Sequence, residues 1–215
     1  MALSKVDVES GGTGLVAAGA SGNVLTSDGT DWTSAAAAGG GGGLWEYMGT
    51  ANFSAVTDVL VTGFTTDYRI EFYNMGFSNS GPNLKMFTTG DNTNFKTDAY
   101  YRYTTTVPTG NTSFDNYYQN SVGQMYLTNS GVGNDSGNTN AHFEIESVDA
   151  ASTTQATIWL WRGHFVNQGG DNRYVTGGGQ RTEYGSSPHN SSGIKINISS
   201  GNMTGSYRKY KRITA

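Results

Sequence analysis

The sequence predicts an all-β protein in two unequal parts. Residues 1–43 read as an extended, glycine-rich N-terminal arm with a small hairpin. Residues 44–215 read as an antiparallel β-sandwich, jelly-roll-like. Three observations carry this. Glycine is abundant, at 31 of 215 residues, roughly twice the usual ~7%. Each interior glycine costs a helix about 1 kcal/mol relative to alanine, which excludes a helical bundle. Aromatic residues make up 12% of the chain, and a disordered polymer lacks such core-building side chains. Apolar residues recur with a period of two between clusters of turn residues, as half-buried strands do. No strict Gly-X-Y period occurs, so collagen is excluded as well.

The two parts meet at the run Gly39-Gly40-Gly41-Gly42-Gly43. Before it lie small residues; after it, Leu44-Trp45-Glu46-Tyr47 opens a stretch dense in rings. The larger apolar side chains of the arm, such as Leu15, Val24, Leu25 and Trp32, are too few to offset the entropy of ordering it. The arm is therefore either a flexible tail or a segment ordered against other chains. Its sequence favours the second: Asn23-Val24-Leu25-Thr26 is a short apolar strand, Asp28-Gly29 a turn signal, and Trp32-Thr33 the start of a second strand. Three such hairpins about one axis would bury Leu25 and Trp32 together, so a homotrimer is expected.

The strands of the second part follow in order. Val59 and Val61 open the series, and Tyr68, Ile70 and Phe72 alternate with Arg69, Glu71 and Tyr73. Tyr100, Tyr101, Tyr103, Met125 and Leu127 fall in further strands. Phe143 and Ile145 alternate with His142, Glu144 and Glu146, and Ile194, Ile196 and Ile198 with Lys195 and Asn197. In Ile158-Trp159-Leu160-Trp161 both faces are apolar, so this strand is either central to the core or buried between subunits, with Trp159 and Trp161 as candidate interface residues. Turn clusters such as residues 79–83, 90–92 and 133–138 separate the runs. Gly177-Gly178-Gly179 has no following helix or lysine and reads as a loop rather than a phosphate cradle.

Composition narrows the function classes. The chain has no cysteine, which removes disulfide scaffolds, zinc-thiolate sites and thiol catalysis. A formal charge of −4 argues against nucleic-acid binding, which needs a basic face. Neither a signal peptide nor a long apolar run is visible, so a chain made in a cytoplasm and remaining soluble is expected.

Two stretches carry a resemblance. Gly11-Gly12-Thr13-Gly14, then Gly22-Asn23-Val24-Leu25-Thr26-Ser27-Asp28-Gly29-Thr30 and Trp32-Thr33, resemble the connector of tailed-bacteriophage fibre proteins. Trp45-Glu46-Tyr47, the pair Gly63-Phe64, the strand with Tyr68, Ile70 and Phe72, and the turn Ser199-Ser200-Gly201-Asn202 resemble the C-terminal domain of such fibres. The family's last strand usually ends apolar-Tyr-Gly, whereas this one reads Tyr207-Arg208-Lys209-Tyr210-Lys211-Arg212-Ile213. The resemblance implies a homotrimeric virion structural protein, assembled in the host cytoplasm, attached to other virion proteins by its N-terminus and displaying its C-terminal domain outward. The absence of cysteine agrees with assembly in a reducing compartment.

Candidate chemistry is sparse. His142, His164 and His189 lack metal-ligand spacing, so no metal or cofactor is expected. Glu144 and Glu146 share a strand face at a separation suited to paired glycosidase carboxylates, but a solvated face explains them and no enzyme is expected. Asp91, Asp135 and Asp171 sit in Asx-type turns rather than calcium loops. The basic last strand fits an edge strand guarded against aggregation or a contact with anionic lipopolysaccharide. Tyr101 and Tyr103, with Asp115, Asn116, Tyr117 and Tyr118, combine flat rings with amide and hydroxyl partners, which suits host-surface polysaccharide; tyrosine is also an ordinary strand residue. Two functions are expected from different classes: a glycan-recognising fibre, or a non-adhesive head-decoration or collar fibre with no ligand.

Overall fold

The computed structural model describes residues 23–27, 32–36, 44–97, 101–108, 114–128, 131–133, 141–152, 155–181 and 191–213. Among them the chain forms strands and no helix. Internal contacts divide the chain into Met1–Gly43 and Leu44–Ala215. In the first unit, β1 (Asn23–Ser27) pairs antiparallel with β2 (Trp32–Ala36), Leu25 facing Ser34 and Ser27 facing Trp32 across the ladder. The expected burial of Leu25 and Trp32 side chains lies outside the described residues.

The second unit is two antiparallel sheets sharing one core, the arrangement of a β-sandwich. The eight-stranded sheet runs β3 (Trp45–Val56), β14 (Met203–Arg212), β5 (Tyr68–Phe77), β10 (Ala141–Val148), β11 (Ile158–Val166), β12 (Asn172–Arg181), β7 (Tyr101–Pro108) and β8 (Phe114–Val122). The four-stranded sheet runs β4 (Asp58–Thr62), β13 (Gly193–Ile198), β6 (Leu84–Thr89) and β9 (Met125–Tyr126). Strict alternation builds the core. Tyr68, Ile70 and Phe72 of β5, Phe143 and Ile145 of β10, and Ile194, Ile196 and Ile198 of β13 are buried, while Arg69, Glu71, Glu144 and Glu146 face outward. Gly63, at φ 89°, turns the chain after β4 so that Phe64 stacks on Tyr68, ring centres 4.1 Å apart. Residues 199–202 join β13 to β14, with Gly201 at φ 78°.

Three expectations are corrected. Trp159 and Trp161 are core residues, not interface residues, at 1% and 2% exposure; the outward side chains of β11 are Ile158, Leu160, Arg162 and His164. The triplet Gly177-Gly178-Gly179 is not a loop but the middle of β12. The inner face explains it. Gly177 lies opposite Trp161, Gly179 lies between Trp159 and Tyr103, and Gly163 lies opposite Phe143. Gly177 and Gly163 leave the space that the rings of Trp161 and Phe143 fill, and Gly179 leaves the space that the Met125 sulfur and Tyr103 Cβ fill. The third correction concerns β14, which lies between β3 and β5 and is no edge strand. Its charges are engaged: Lys211 with Glu46 at 3.1 Å, Arg212 with Asp67 at 3.1 Å, and Arg208 over the Tyr73 ring at 4.7 Å.

Tyr68 ties the core together. Trp159 Nε1 donates to its hydroxyl at 3.0 Å, and Ser191 Oγ shares a hydrogen bond with it at 2.9 Å. Burial pushes this hydroxyl up to about 12 from its usual 10. Above pH 10 the unfolded chain releases a proton that the folded chain keeps, so stability falls as pH rises. The expected loss is about 2–3 kcal/mol between about pH 10 and 12, read as a declining urea midpoint. A midpoint flat across that window would contradict it.

Candidate functional site

The outer face of the large sheet collects side chains that are remote in sequence. Register aligns them in rows across the strands. One row runs Tyr210, Arg69, Glu146, Leu160, Gly178, Thr104, Tyr118. The next runs Arg208, Glu71, Glu144, Arg162, Thr176, Thr106, Asn116. A third, on the other side of the first, includes Ile158, Gln180 and Arg102.

The second row is largely consumed by its own contacts. Arg162 Nη2 donates to both carboxylate oxygens of Glu144, at 2.9 and 3.0 Å, and Arg69 lies 3.4 Å from Glu144. Arg69 also donates to Glu71, and the Tyr210 hydroxyl donates to the other Glu71 oxygen at 3.0 Å. The hydrogen bond from Arg162 to Glu144 holds the Arg162 guanidinium above its usual range. Thr106 Oγ1 donates to Asn116 Oδ1 at 2.8 Å. Glu144 and Glu146 do share this face, but Glu144 is clasped by two guanidinium groups, whereas Glu146 has no ion pair among the described residues.

The first and third rows differ in kind. Leu160 is 49% exposed, Tyr118 63%, and between them Gly178 carries no side chain. A shallow trough of about 390 Å³ lies there, lined by Arg102, Thr104, Tyr118, Ile158, Gly178 and Gln180, with Tyr103 and Gly179 beside them. Among the described residues, no side-chain hydrogen bond or ion pair engages Arg102, Thr104, Tyr118 or Gln180. The trough thus presents an aromatic ring, an aliphatic wall and four polar groups whose bonding capacity is unspent. Across Leu160 a second hollow is lined by Glu144, Glu146, Arg162, Thr176 and Gly177, with Trp161.

The structure divides the sugar-binding cluster read from the sequence. Tyr118 and Asn116 point to the outer face. Tyr117 points the opposite way, its ring packed 6.1 Å from that of Tyr103. Asp115 lies on β8, its side chain outside the described set. Tyr101 and Tyr103 are corrected outright. At 0% and 2% exposure their rings belong to the core, and the Tyr101 hydroxyl bonds the backbone at Thr88 and Lys96. Neither offers a ring to a ligand.

Arg102 lies within the sequence run Tyr100–Tyr103 read for sugar binding, whereas Gly178 and Gln180 carried no such signal. For Ile158 and Leu160 a signal existed, because both share the parity of Arg162 and His164. His142 and His164 face each other across the β10–β11 ladder, rings 5.8 Å apart and nearly parallel. Desolvation, then the neighbouring His164, holds His142 below its usual value. No group of three or more His, Cys, Asp or Glu able to hold a metal occurs among the described residues, and His189 lies outside them. Asp91 accepts backbone hydrogen bonds from Thr93 and Asn94, which hold its carboxyl well below the usual range. Asp171 accepts from Arg173 at 2.9 Å, and Asp135 is outside the described residues.

Comparison with family models, with curated proteins and with solved structures finds no match to this chain.

Proposed function

We propose that this chain is a structural protein of a bacteriophage virion: a trimeric, jelly-roll-like fibre that binds host-surface glycan in the trough beside Tyr118. The virion placement, the attachment of the arm to other virion proteins and the trimer rest on the resemblance of the connector and of the strands from Trp45 onward. The glycan reading rests on one observation. The exposed Tyr118 ring and the bare Gly178 line one trough, with Thr104, Gln180 and Arg102 unspent around it. Sugar C–H faces stack on aromatic rings, and hydroxyls need several donors and acceptors near one another. A weak single site suffices in such a fibre, because three linked copies raise avidity by about 10²–10⁴.

The test is a glycan array probed with the full chain and with Tyr118→Ala. The full chain should bind a definite set of saccharides, and Tyr118→Ala should weaken that binding by about tenfold or more, the scale of one aromatic contact. Binding that ignores Tyr118 would place recognition elsewhere.

A second reading has its own support. Ile158 and Leu160 are an exposed aliphatic pair, and such pairs are often covered by protein. In a non-adhesive decoration or collar fibre this face would meet another copy or another virion protein. A silent array combined with a trimer in sedimentation would favour that reading.

A further inference from the structure

The trough has a sign. Arg69 and Arg162 on the same face are bound to Glu71 and Glu144, and Arg208 lies over the Tyr73 ring. Arg102 has neither a carboxylate nor a ring partner among the described residues. Among the described residues no carboxylate lines its trough, whereas the hollow across Leu160 has two, Glu144 and Glu146, against one Arg162. The face is therefore locally cationic at one end, on a chain whose formal charge is −4. General attraction of anions by the whole protein is ruled out, and one placed guanidinium is left to select.

We infer that the ligand of this trough is an acidic saccharide, a pyranose bearing a carboxylate, with its ring on Tyr118 and its carboxylate on Arg102. The inference rests on the glycan reading above and names the class of sugar. Thr104 faces Tyr118 across the ladder, and Arg102 precedes Thr104 by two residues on the same strand face. At about 3.3 Å per residue along the strand and about 4.8 Å between strands, Arg102 lies about 8 Å from Tyr118 on the diagonal, a span that a sugar ring with an exocyclic carboxylate fills. The guanidinium fork matches a carboxylate with two parallel hydrogen bonds. Thr104 and the Gln180 amide remain for ring hydroxyls. The unpaired state of Arg102 costs nothing while it is exposed to water, and the anion adds a charge-assisted contact that a neutral sugar cannot make.

Two matched pairs of probes test this on the full chain: polygalacturonate against its methyl ester, and sialyllactose against its methyl ester. Within each pair the carboxylate is the group that is masked, and the two pairs separate uronate from sialate chemistry. The acid of at least one pair should bind about tenfold or more tighter than its neutral counterpart. Arg102→Gln should weaken the acid by about tenfold or more and remove its preference over the neutral counterpart, and Arg102→Lys should recover part of that preference. Equal binding of acid and neutral forms, both lost in Tyr118→Ala, would overturn the acidic class while leaving glycan recognition standing. An acid preference untouched by Arg102→Gln would overturn the assignment of the carboxylate. No binding of any probe, with neutral glycans bound elsewhere on an array, would overturn the acidic class alone; silence throughout would remove both.

Discussion

Gly177→Ala should destabilise the protein by about 3 kcal/mol, the upper end of the range for an overpacked core. A Cβ at this position would lie 2.3 Å from Trp161 Cε2, 2.4 Å from Cζ2 and 2.6 Å from the Thr104 carbonyl oxygen. None of these atoms is the free end of a flexible side chain. Trp161 is buried and its ring packs 6.4 Å from that of Tyr103. Thr104 belongs to β7, which is bonded on one side to β12 and on the other to β8. To admit one methyl group, the sheet must open between β12 and β7 or the indole must leave its place. Urea unfolding of the full chain reads the effect, with Gly76→Ala as the reference. Gly76 also lies within a strand, and a Cβ there meets nothing within 4 Å, so its substitution should move the midpoint little. Equal midpoints for the two variants would mean that Trp161 does not occupy the space opposite Gly177.

The same glycine shows where sequence reading stops. Period-two runs of large apolar residues, as in Tyr68–Phe72, Phe143–Ile145 and Ile194–Ile198, reveal both strand and buried face, because one face carries nearly all the driving force. A glycine triplet carries no such signal, and its usual meaning is a turn. It becomes a strand here because Trp161, Trp159 and Tyr103 stand on the neighbouring ladders, and those partners are set by register rather than by local sequence. Tyr117 and Tyr118 fail to declare themselves for a related reason. Either face of β8 accepts a tyrosine, and β8 is at the end of the sheet. The basic β14 looked like an edge strand because Glu46, Asp67 and Glu71, which meet its cations and its Tyr210, are more than a hundred residues away. The trough was illegible for the same cause: Arg102, Tyr118, Ile158 and Gly178 come from four strands, and only the pairing order brings them together.

One residue along from Gly177 the physics reverses. Gly178→Val should leave stability within about 1 kcal/mol of the wild type, since a strand favours β-branched residues, and should abolish saccharide binding by about a hundredfold or more. A Cβ at Gly178 meets Leu160 Cδ2 at 3.3 Å and the Trp159 carbonyl oxygen at 3.6 Å. The first is the end of a half-exposed side chain that can turn aside, and the second is an ordinary contact. The added methyl groups point outward, onto the floor between Leu160 and Thr104. A sugar stacked on Tyr118 would then be lifted off that floor, losing ring contact and hydrogen bonds together, which is why the expected effect exceeds that of Tyr118→Ala. The measurement is a titration of the variant with whichever saccharide the full chain binds, alongside a urea midpoint to verify the fold. A variant that keeps its midpoint and still binds would show that the ligand does not enter this trough. A bare glycine between Leu160 and Thr104 would then have to be explained by another surface laid against it, the situation of a fibre whose sheet face is covered by protein.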